Sequence, residues 1–264
     1  MRPDVQAAPS AIELASVSVS FPSTTTALEN VSFAVPRGRF VSVVGPTGCG
    51  KSTVLNCVAG LRAPTSGEVL VDGVPLRGLN RAAGYLFQQD ALLPWRTVLD
   101  NVGFGLRLRG VGKQERTDRA REWIARVGLS GFEHAYPHEL SGGMRKRAAV
   151  AQMWITDPDI LLMDEPFGAL DVQTRQIMEN ELLALWSERG NTVLFVTHDL
   201  DEAVSLSDEV LVLSAGPGSR VLGRYPVDLP RPRDLLEIRT SPRFTEIYRA
   251  IWADLREEVL KSHG

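Results

Sequence analysis

The sequence predicts an α/β fold in which helices wrap a parallel sheet, with an N-terminal antiparallel β subdomain and an inserted α-helical subdomain. Strands and helices alternate with short connections over residues 159–214, which is typical of a parallel sheet covered by helices. Before Gly45, apolar and polar residues alternate as in half-buried strands. Residues 92–156 have a helical pattern, which indicates an insertion into the α/β core.

The individual elements follow from local patterns in chain order. Strands are predicted first at "IELASVSVSF", "VSFAV", "RFVSVVG" and "GEVLVDG", with a continuous apolar run in the third that is typical of a buried strand. In the insertion, Trp123, Ile124 and Val127 share one helical face. Strands are then predicted at "DILLMDE", "NTVLFVTHD" and "EVLVLS", separated by the helices "TRQIMENELLALWSERG" and "LDEAVSLSD".

The C-terminal part begins with the Pro/Arg-rich connection "VDLPRPRD" and ends in a predicted amphipathic helix. One stripe of this helix carries its apolar residues: Phe244, Ile247, Tyr248, Ile251, Trp252, Leu255 and Val259. A helix lying on a membrane surface is the alternative, but the polar face mixes acidic and basic residues. We therefore expect the helix to dock against the protein's own body.

Composition limits the classes of function. The 264 residues are 44% hydrophobic and 23% charged, as in soluble globular proteins, and the net charge of -3 gives no general attraction to nucleic acid, so no nucleic-acid partner is expected. Cys49 and Cys57 are too few for a disulfide framework and fit a reducing cytosol. Cys49 is expected to be a small loop or core residue, with a redox sensor as the alternative.

No targeting or membrane-spanning signal is evident. The first residues, "MRPDVQAAPS", lack a basic-then-apolar signal pattern. No uninterrupted apolar run approaches the roughly 18 residues that span a bilayer. Any membrane role is therefore expected to be peripheral.

A phosphate-binding loop is the most specific motif. Residues 45–52 match G-x-x-x-x-G-K-[ST] directly after a predicted buried strand and before a helical stretch. The glycines let backbone amides wrap the β-phosphate, Lys51 reaches the β and γ oxygens, and the Ser52 hydroxyl suits Mg²⁺. The alternative, a chance glycine-rich turn, does not explain the flanking strand and helix, so the chain is expected to bind a nucleoside triphosphate.

Polar residues at three strand ends suit the chemistry of this site. Asp164 ends an apolar strand and suits Mg²⁺, and Glu165 follows it as a carboxylate that can deprotonate water. His198 follows another apolar strand, and Gln88 lies where sheet gives way to helix. Each of these observations has an alternative when it is taken alone. Asp164 and Glu165 could be solvated charges at a strand end, His198 could have a structural role, and Gln88 could be an ordinary loop residue.

A second glycine-marked helix start occurs in "HELSGGMRKRAAV". A helix N-terminus offers unpaired N–H groups and a positive dipole end, which suits an anion. By itself it has no evident ligand.

In their order, these motifs resemble those of the ATP-binding cassette (ABC) family, a family of P-loop NTPases with a RecA-like core. "GPTGCGKST" resembles its Walker A motif, "FQQ" its Q-loop, "LSGGM" its signature, "ILLMDEP" its Walker B motif, "GALD" its D-loop and "THD" its switch histidine. Phe21 is placed like the aromatic that stacks on adenine. The resemblance covers nearly the whole chain.

The resemblance implies that two cassettes pair head to tail around two ATP molecules. Ser141 and its two glycines would face the γ-phosphate held by Lys51 and Ser52 of the partner. Glu165 would be the general base, His198 a γ-phosphate contact, Gln88 a sensor near Mg²⁺ and Asp171 an aligning residue across the dimer. The implied ATP-binding residues are Phe21, Gly45, Pro46, Thr47, Gly48, Cys49, Gly50, Lys51, Ser52, Thr53, Ser141, Gly142 and Gly143, and the implied Mg²⁺ ligands are Ser52, Gln88 and Asp164.

The resemblance also implies four segments and a set of partners. The segments are a first part of the nucleotide-binding core with the β subdomain (11–91), a helical subdomain with the signature (92–156), a second part of the core (157–220) and a C-terminal extension (221–264). The partners are a second ATPase subunit, membrane permease subunits and a periplasmic or surface-tethered solute-binding protein. The chain itself would lie peripherally at the cytoplasmic face of the inner membrane.

Finer features bear on the subfamily. Met144, Lys146, Gln152 and Gly168 differ from the commonest residues of the family at those positions. "LLPWRTVLDNV", "LSGGMR" and "SPRF" with "IYRAIW" resemble the branch that serves nitrate, sulfonate and taurine importers. Residues 93–97 would lie near a coupling helix of the permease, with an ordinary packed aromatic as the alternative for Trp95.

Other classes explain less of the sequence. A soluble ABC ATPase of DNA repair would carry a long coiled-coil insertion, and one of translation usually has two cassettes, whereas this insertion is short and the cassette single. A P-loop kinase or other phosphotransferase explains neither "LSGGM" nor "THD". A non-hydrolysing regulator is opposed by intact Lys51, Asp164, Glu165 and His198.

Overall fold

The computed structural model describes residues 10–21 and 26–263. The chain divides into two compact units, a first unit of Met1–Arg81 with Arg189–Gly264 and a second unit of Ala82–Glu188. The opening residues 1–9, over which no signal pattern was found, lie outside the described residues. The limits predicted for the four segments stay predictions.

The first unit contains the predicted antiparallel β subdomain. Its strands are β1 (Ser10–Ser20), β2 (Thr26–Pro36), β4 (Ser66–Val71) and β5 (Val74–Pro75), in the order β2-β1-β4-β5. Leu14 of β1 lies opposite Phe33 of β2 and Val69 of β4, and all three side chains are buried. This apolar face explains the alternation seen in the sequence.

The first unit also contains the parallel strands that carry the phosphate loop. β3 (Phe40–Val44), β8 (Thr192–Val196) and β9 (Glu209–Leu213) have almost entirely buried side chains, and β3 pairs in parallel with both β8 and β9. β10 (Val221–Pro226) adds an antiparallel edge strand that the sequence did not predict. The helices α1 (Lys51–Val58) and α7 (Leu200–Leu206) follow β3 and β8.

Gly60, just after α1, has a left-handed backbone (φ +71°), and a Cβ there would lie 1.9 Å from the Gly78 carbonyl oxygen. Gly73 has a similar φ of +76° with no atom within 4 Å of a Cβ. Gly60→Ala is therefore expected to lower the free energy of unfolding by about 3 kcal/mol, and Gly73→Ala, the matched control, by about 1 kcal/mol. Urea unfolding of both variants tests this, and equal losses would contradict the steric explanation.

The second unit contains the predicted helical insertion. β6 (Ala83–Leu86) and β7 (Ile160–Asp164) pair in parallel. The helices are α2 (Val98–Val102), α3 (Phe104–Leu108), α4 (Lys113–Arg126), α5 (Gly142–Trp154) and α6 (Val172–Arg189), with a 3₁₀ turn at Pro137–Glu139. Trp123, Ile124 and Val127 are all buried, as their spacing predicted.

The loop before α2 is folded around one buried amide. The Asn101 side chain donates to the carbonyl oxygens of Leu93, Arg96 and Thr97, and it accepts from the Leu93 N–H. This loop presents Trp95, whose surface is 71% exposed. The alternative interpretation of Trp95 as a packed aromatic is therefore wrong in this chain.

The C-terminal helix docks on the first unit, as expected. After α8 (Leu235–Ile238), α9 (Pro242–His263) packs Phe244, Ile247, Ile251 and Leu255 into a core cluster that includes Val44 of β3. Burial does not extend along the whole stripe, because Trp252 is 44% exposed. Within 10–21 and 26–263, every helix is too short or too polar to cross a membrane.

Candidate active site

The phosphate loop connects β3 to α1 in the first unit. Gly50 caps α1 with a left-handed backbone (φ 94°) and no side-chain hydrogen bond, so backbone N–H groups face outward from the helix start. The Lys51 ammonium is buried and donates to the carbonyl oxygens of Gly45 (3.0 Å) and Pro46 (3.1 Å). Thr47, Gly48 and Ser52 are exposed. The loop therefore combines a helix N-terminus with a fixed cation, which suits a phosphate group.

Both cysteines of this region are buried core residues that form no disulfide. Cys49 lies in the loop, where a Cβ on Gly45 would come within 2.7 Å of its Sγ. Burial raises the pKa of Cys57 to about 11. Cys49 is 1% exposed, which fits the core role and gives an oxidant little access.

His198 is presented by an anchored segment at the carboxyl end of β8. The neighbouring Thr197 donates to the buried Glu202 carboxylate at 2.6 Å and accepts from the Asp199 N–H at 3.0 Å. Asp199 in turn caps α7 by accepting from two backbone N–H groups. His198 itself is exposed.

A cavity of about 300 Å³ brings His198 together with the phosphate loop. Its lining consists of Gly45, Pro46, Thr47, His198, Trp252, Leu255 and Val259. The predicted γ-phosphate contact and the predicted phosphate loop thus share one cavity, which is closed on one side by α9.

Phe21 follows the last residue of β1. The Arg62 guanidinium carbon lies 4.3 Å from the centroid of its ring, a cation–π contact. The stacking of adenine on this ring stays a prediction.

In the second unit, Asp164 is the buried last residue of β7. The Tyr85 hydroxyl donates to its Oδ2 at 3.4 Å. Burial and the Asp164 charge raise the pKa of Tyr85, so this hydroxyl stays protonated and acts as a donor. Tyr85 is a site residue that local sequence patterns do not predict, because its contact with Asp164 depends on the pairing of β6 with β7.

Glu165 and Gln88 are brought together in the same unit. The Gln88 amide nitrogen donates to Glu165 Oε2 at 3.2 Å. Glu165 also has a left-handed backbone (φ 42°), which is uncommon outside glycine and frequent at functional sites. The candidate base is therefore held both by its backbone and by the Q-loop amide.

Ser141 is the N-cap of α5, as its sequence position predicted. Its hydroxyl is exposed and accepts from the Met144 N–H at 3.3 Å. A Cβ on Gly143 would lie 2.7 Å from Thr174 Cγ2, so this glycine permits a close approach to α6. Asp171 accepts from the Thr174 N–H at 3.0 Å, and this hydrogen bond lowers the pKa of Asp171. The signature and D-loop residues are thus neighbours.

Comparison with protein families supports these motifs. A family model described as "ABC transporter" matches residues 28–168. An uncharacterized ABC transporter ATP-binding protein of Methanocaldococcus jannaschii is 52% identical over 89% of this chain and 86% of its own length. A taurine import ATP-binding protein of Burkholderia thailandensis is 47% identical over 89% of this chain and 91% of its own length.

Solved structures give the same result. A bacterial ABC transporter cassette in a dimeric structure is 34% identical and matches with a TM-score of 0.74 over 83% of this chain and 100% of its own. A dimeric structure of a post-hydrolysis cassette bound to ADP and Pi is 32% identical and has a TM-score of 0.73 over the same shares. The predicted fold class is confirmed by these neighbours.

Proposed function

Because the chain belongs to the ABC transporter family, we propose that it is the ATP-hydrolysing subunit of an importer and drives solute uptake through a separate membrane permease. The observation that carries the proposal is the contact between Gln88 and Glu165. Kinases and ATPases share the phosphate loop, whereas a carboxylate fixed just after the Walker B strand is what a water-activating base needs.

We assign the phosphate loop to the β- and γ-phosphates of ATP. The α1 N–H groups and the buried Lys51 ammonium supply positive charge to them. The Ser52 hydroxyl, the Asp164 carboxylate and the Gln88 amide are oxygen donors of the kind Mg²⁺ prefers. Mg²⁺ held by these residues would neutralise part of the negative charge of the phosphate groups.

The hydrolytic step then uses side chains of this chain. Glu165 accepts a proton from the attacking water, and Gln88 holds its carboxylate in place. His198, held beside the phosphate loop, donates to the γ-phosphate and positions the water. Tyr85 steadies the Asp164 carboxylate.

A second copy of the chain completes each site in this proposal. Ser141, Gly142 and Gly143 lie at the start of α5, and we place them on the γ-phosphate bound by the partner. Asp171, beside Gly143 through Thr174, aligns the two sites. Support comes from the dimeric form of the two matched cassettes.

The solute class rests on the relatives. Taurine import ATP-binding proteins of Burkholderia thailandensis and Rhizobium johnstonii are 47% and 45% identical. We propose taurine, a sulfonate, nitrate or a similar small solute, delivered by a periplasmic or surface-tethered binding protein. The exposure of Trp95 supports a contact with the permease, and the proposed location of the chain is peripheral, at the cytoplasmic face of the membrane. These relatives lend no support to a role in DNA repair, translation or phosphotransfer.

Isolation from membranes tests the proposal. A multi-span protein and a solute-binding protein are expected to co-purify, and ligand binding by the latter identifies the solute. The complex is expected to release phosphate from ATP with Mg²⁺, and chelation of Mg²⁺ is expected to lower the rate at least 10²-fold, because the charge on the γ-phosphate is then not neutralised. No turnover even with the membrane partner would refute the enzymatic role.

A further inference from the structure

Lys146, in the second turn of α5, is a buried lysine with two hydrogen bonds and one ion pair. Its side chain is only 4% exposed, and its ammonium donates to the carbonyl oxygens of Phe87 (3.3 Å) and Gln88 (3.2 Å). The same ammonium lies 3.1 Å from Asp90 Oδ1. The next residue toward the signature, Arg145, places Nε 3.3 Å from Asp90 Oδ2. The start of α5 therefore binds the Q-loop over residues 87–90 by hydrogen bonds and ion pairs.

The positive charge of Lys146 strengthens the contact between α5 and the Q-loop. Removing the Lys146 ammonium leaves two carbonyl oxygens without this donor and leaves the Asp90 carboxylate with Arg145 as its cationic partner, which is costly at a buried position. Glutamine, which is frequent at this position in the family, can donate to a carbonyl oxygen but cannot neutralise Asp90. Lys146 thus ties the Q-loop to the signature helix by charge as well as by hydrogen bonds.

The contacts of Lys146 extend through Gln88 to Glu165, the candidate base. Lys146 holds the Gln88 backbone, and the Gln88 side chain donates to Glu165 at 3.2 Å. All four residues, including Ser141 at the start of the same helix, belong to the second unit. We propose that Lys146 is a positioning residue that links the signature end of α5 to Glu165 through Gln88.

This inference rests on the proposed function and extends it to communication between two sites. In the proposed dimer, Ser141 engages the nucleotide of the partner, whereas Glu165 acts on the nucleotide of its own chain. When α5 binds the partner's phosphate through Ser141, its movement is therefore passed through Lys146 and Gln88 to Glu165, and it changes the position of this base in its own site. Hydrolysis at the two sites is then cooperative.

The test compares three variants in the complex with the permease. Lys146→Met keeps the apolar stem and removes the charge, Lys146→Gln restores a donor, and Lys113→Met makes the same change at an exposed lysine of α4 as a control. Lys146→Met is expected to lower kcat about tenfold or more, whereas its KM for ATP is expected to stay within about twofold of the wild-type value. The reason is that Glu165 is misplaced while ATP binding is unchanged. The Hill coefficient of Lys146→Met for ATP is expected to fall toward one. Lys146→Gln is expected to recover part of the kcat and part of the Hill coefficient. Lys113→Met is expected to change neither kcat nor the Hill coefficient.

A double variant separates positioning from general stability. Gln88→Ala removes the contact with Glu165, so adding Lys146→Met to it is expected to lower kcat no further. Losses that multiply would overturn the proposal, as would unchanged kcat and cooperativity in Lys146→Met. If Lys146→Met does not fold, Asp90→Asn takes its place with the same expectation and the same refuting outcome. A wild-type complex without phosphate release refutes the proposed function itself, whereas an active wild type with unaffected variants refutes only this inference.

Discussion

Glu165→Gln is expected to lower phosphate release by about 10²-fold or more while leaving ATP binding intact. Glutamine has nearly the same shape, and its side-chain oxygen can still accept from the Gln88 amide, as Glu165 does at 3.2 Å. It lacks the basic carboxylate that takes the proton from water. ATP is then bound but not consumed, so the closed dimer is expected to persist.

Two measurements check this expectation. Phosphate release gives the rate, and size-exclusion chromatography with ATP gives the fraction of dimer. Glu122→Gln, at an exposed position of α4, makes the same chemical change and is expected to behave as wild type. Hydrolysis by Glu165→Gln at a rate near that of the wild type would remove Glu165 from the role of base.

Ser141→Arg is expected to block both dimer closure and hydrolysis while the isolated chain still binds nucleotide. Ser141 is exposed at the start of α5, and its hydroxyl accepts from the Met144 N–H. Arginine there adds bulk to the surface that we assign to the partner's γ-phosphate. It also places positive charge at the positive end of the helix dipole.

A companion variant separates loss of the cap from this added bulk. Ser141→Ala also removes the cap, so both variants are expected to lose about 1 kcal/mol of stability. Only the arginine variant is expected to give no ATP-dependent dimer by light scattering and no turnover above background. A fully active Ser141→Arg would show that this helix start does not face a partner's nucleotide.

Local pattern was enough to predict the fold class and the individual motifs. The phosphate loop is recognisable because the glycines, Lys51 and Ser52 are consecutive and flanked by a buried strand and a helix. Likewise, α5 begins at Gly142 with Ser141 as its cap, because cap and helix are adjacent in the chain. The strand β10 was missed, since its Gly223 and Pro226 are unfavourable in strands and only pairing with β9 compensates.

Contacts between distant positions were not predictable in the same way. Gln88 and Glu165 stand far apart in the chain, and a glutamine at a loop start is uninformative until the fold places it on a carboxylate. Lys146 was recognised as unusual for the family, but its function depends on the position of the Q-loop beside α5. The docking of α9 was predictable from its apolar stripe, but the exposure of Trp252 was not. The spacing of apolar residues does not show which of them extend beyond the surface on which the helix packs.

The cavity between the phosphate loop and α9 gives the chain an intrinsic optical reporter. Trp123, Trp154 and Trp186 are buried, whereas Trp95 and Trp252 are exposed. With Trp95 replaced by phenylalanine, quenching by a dissolved molecule such as acrylamide acts mainly on Trp252, which lines the same cavity as Thr47 and His198. The emission of this indole then follows events at the phosphate loop in real time, without an attached dye.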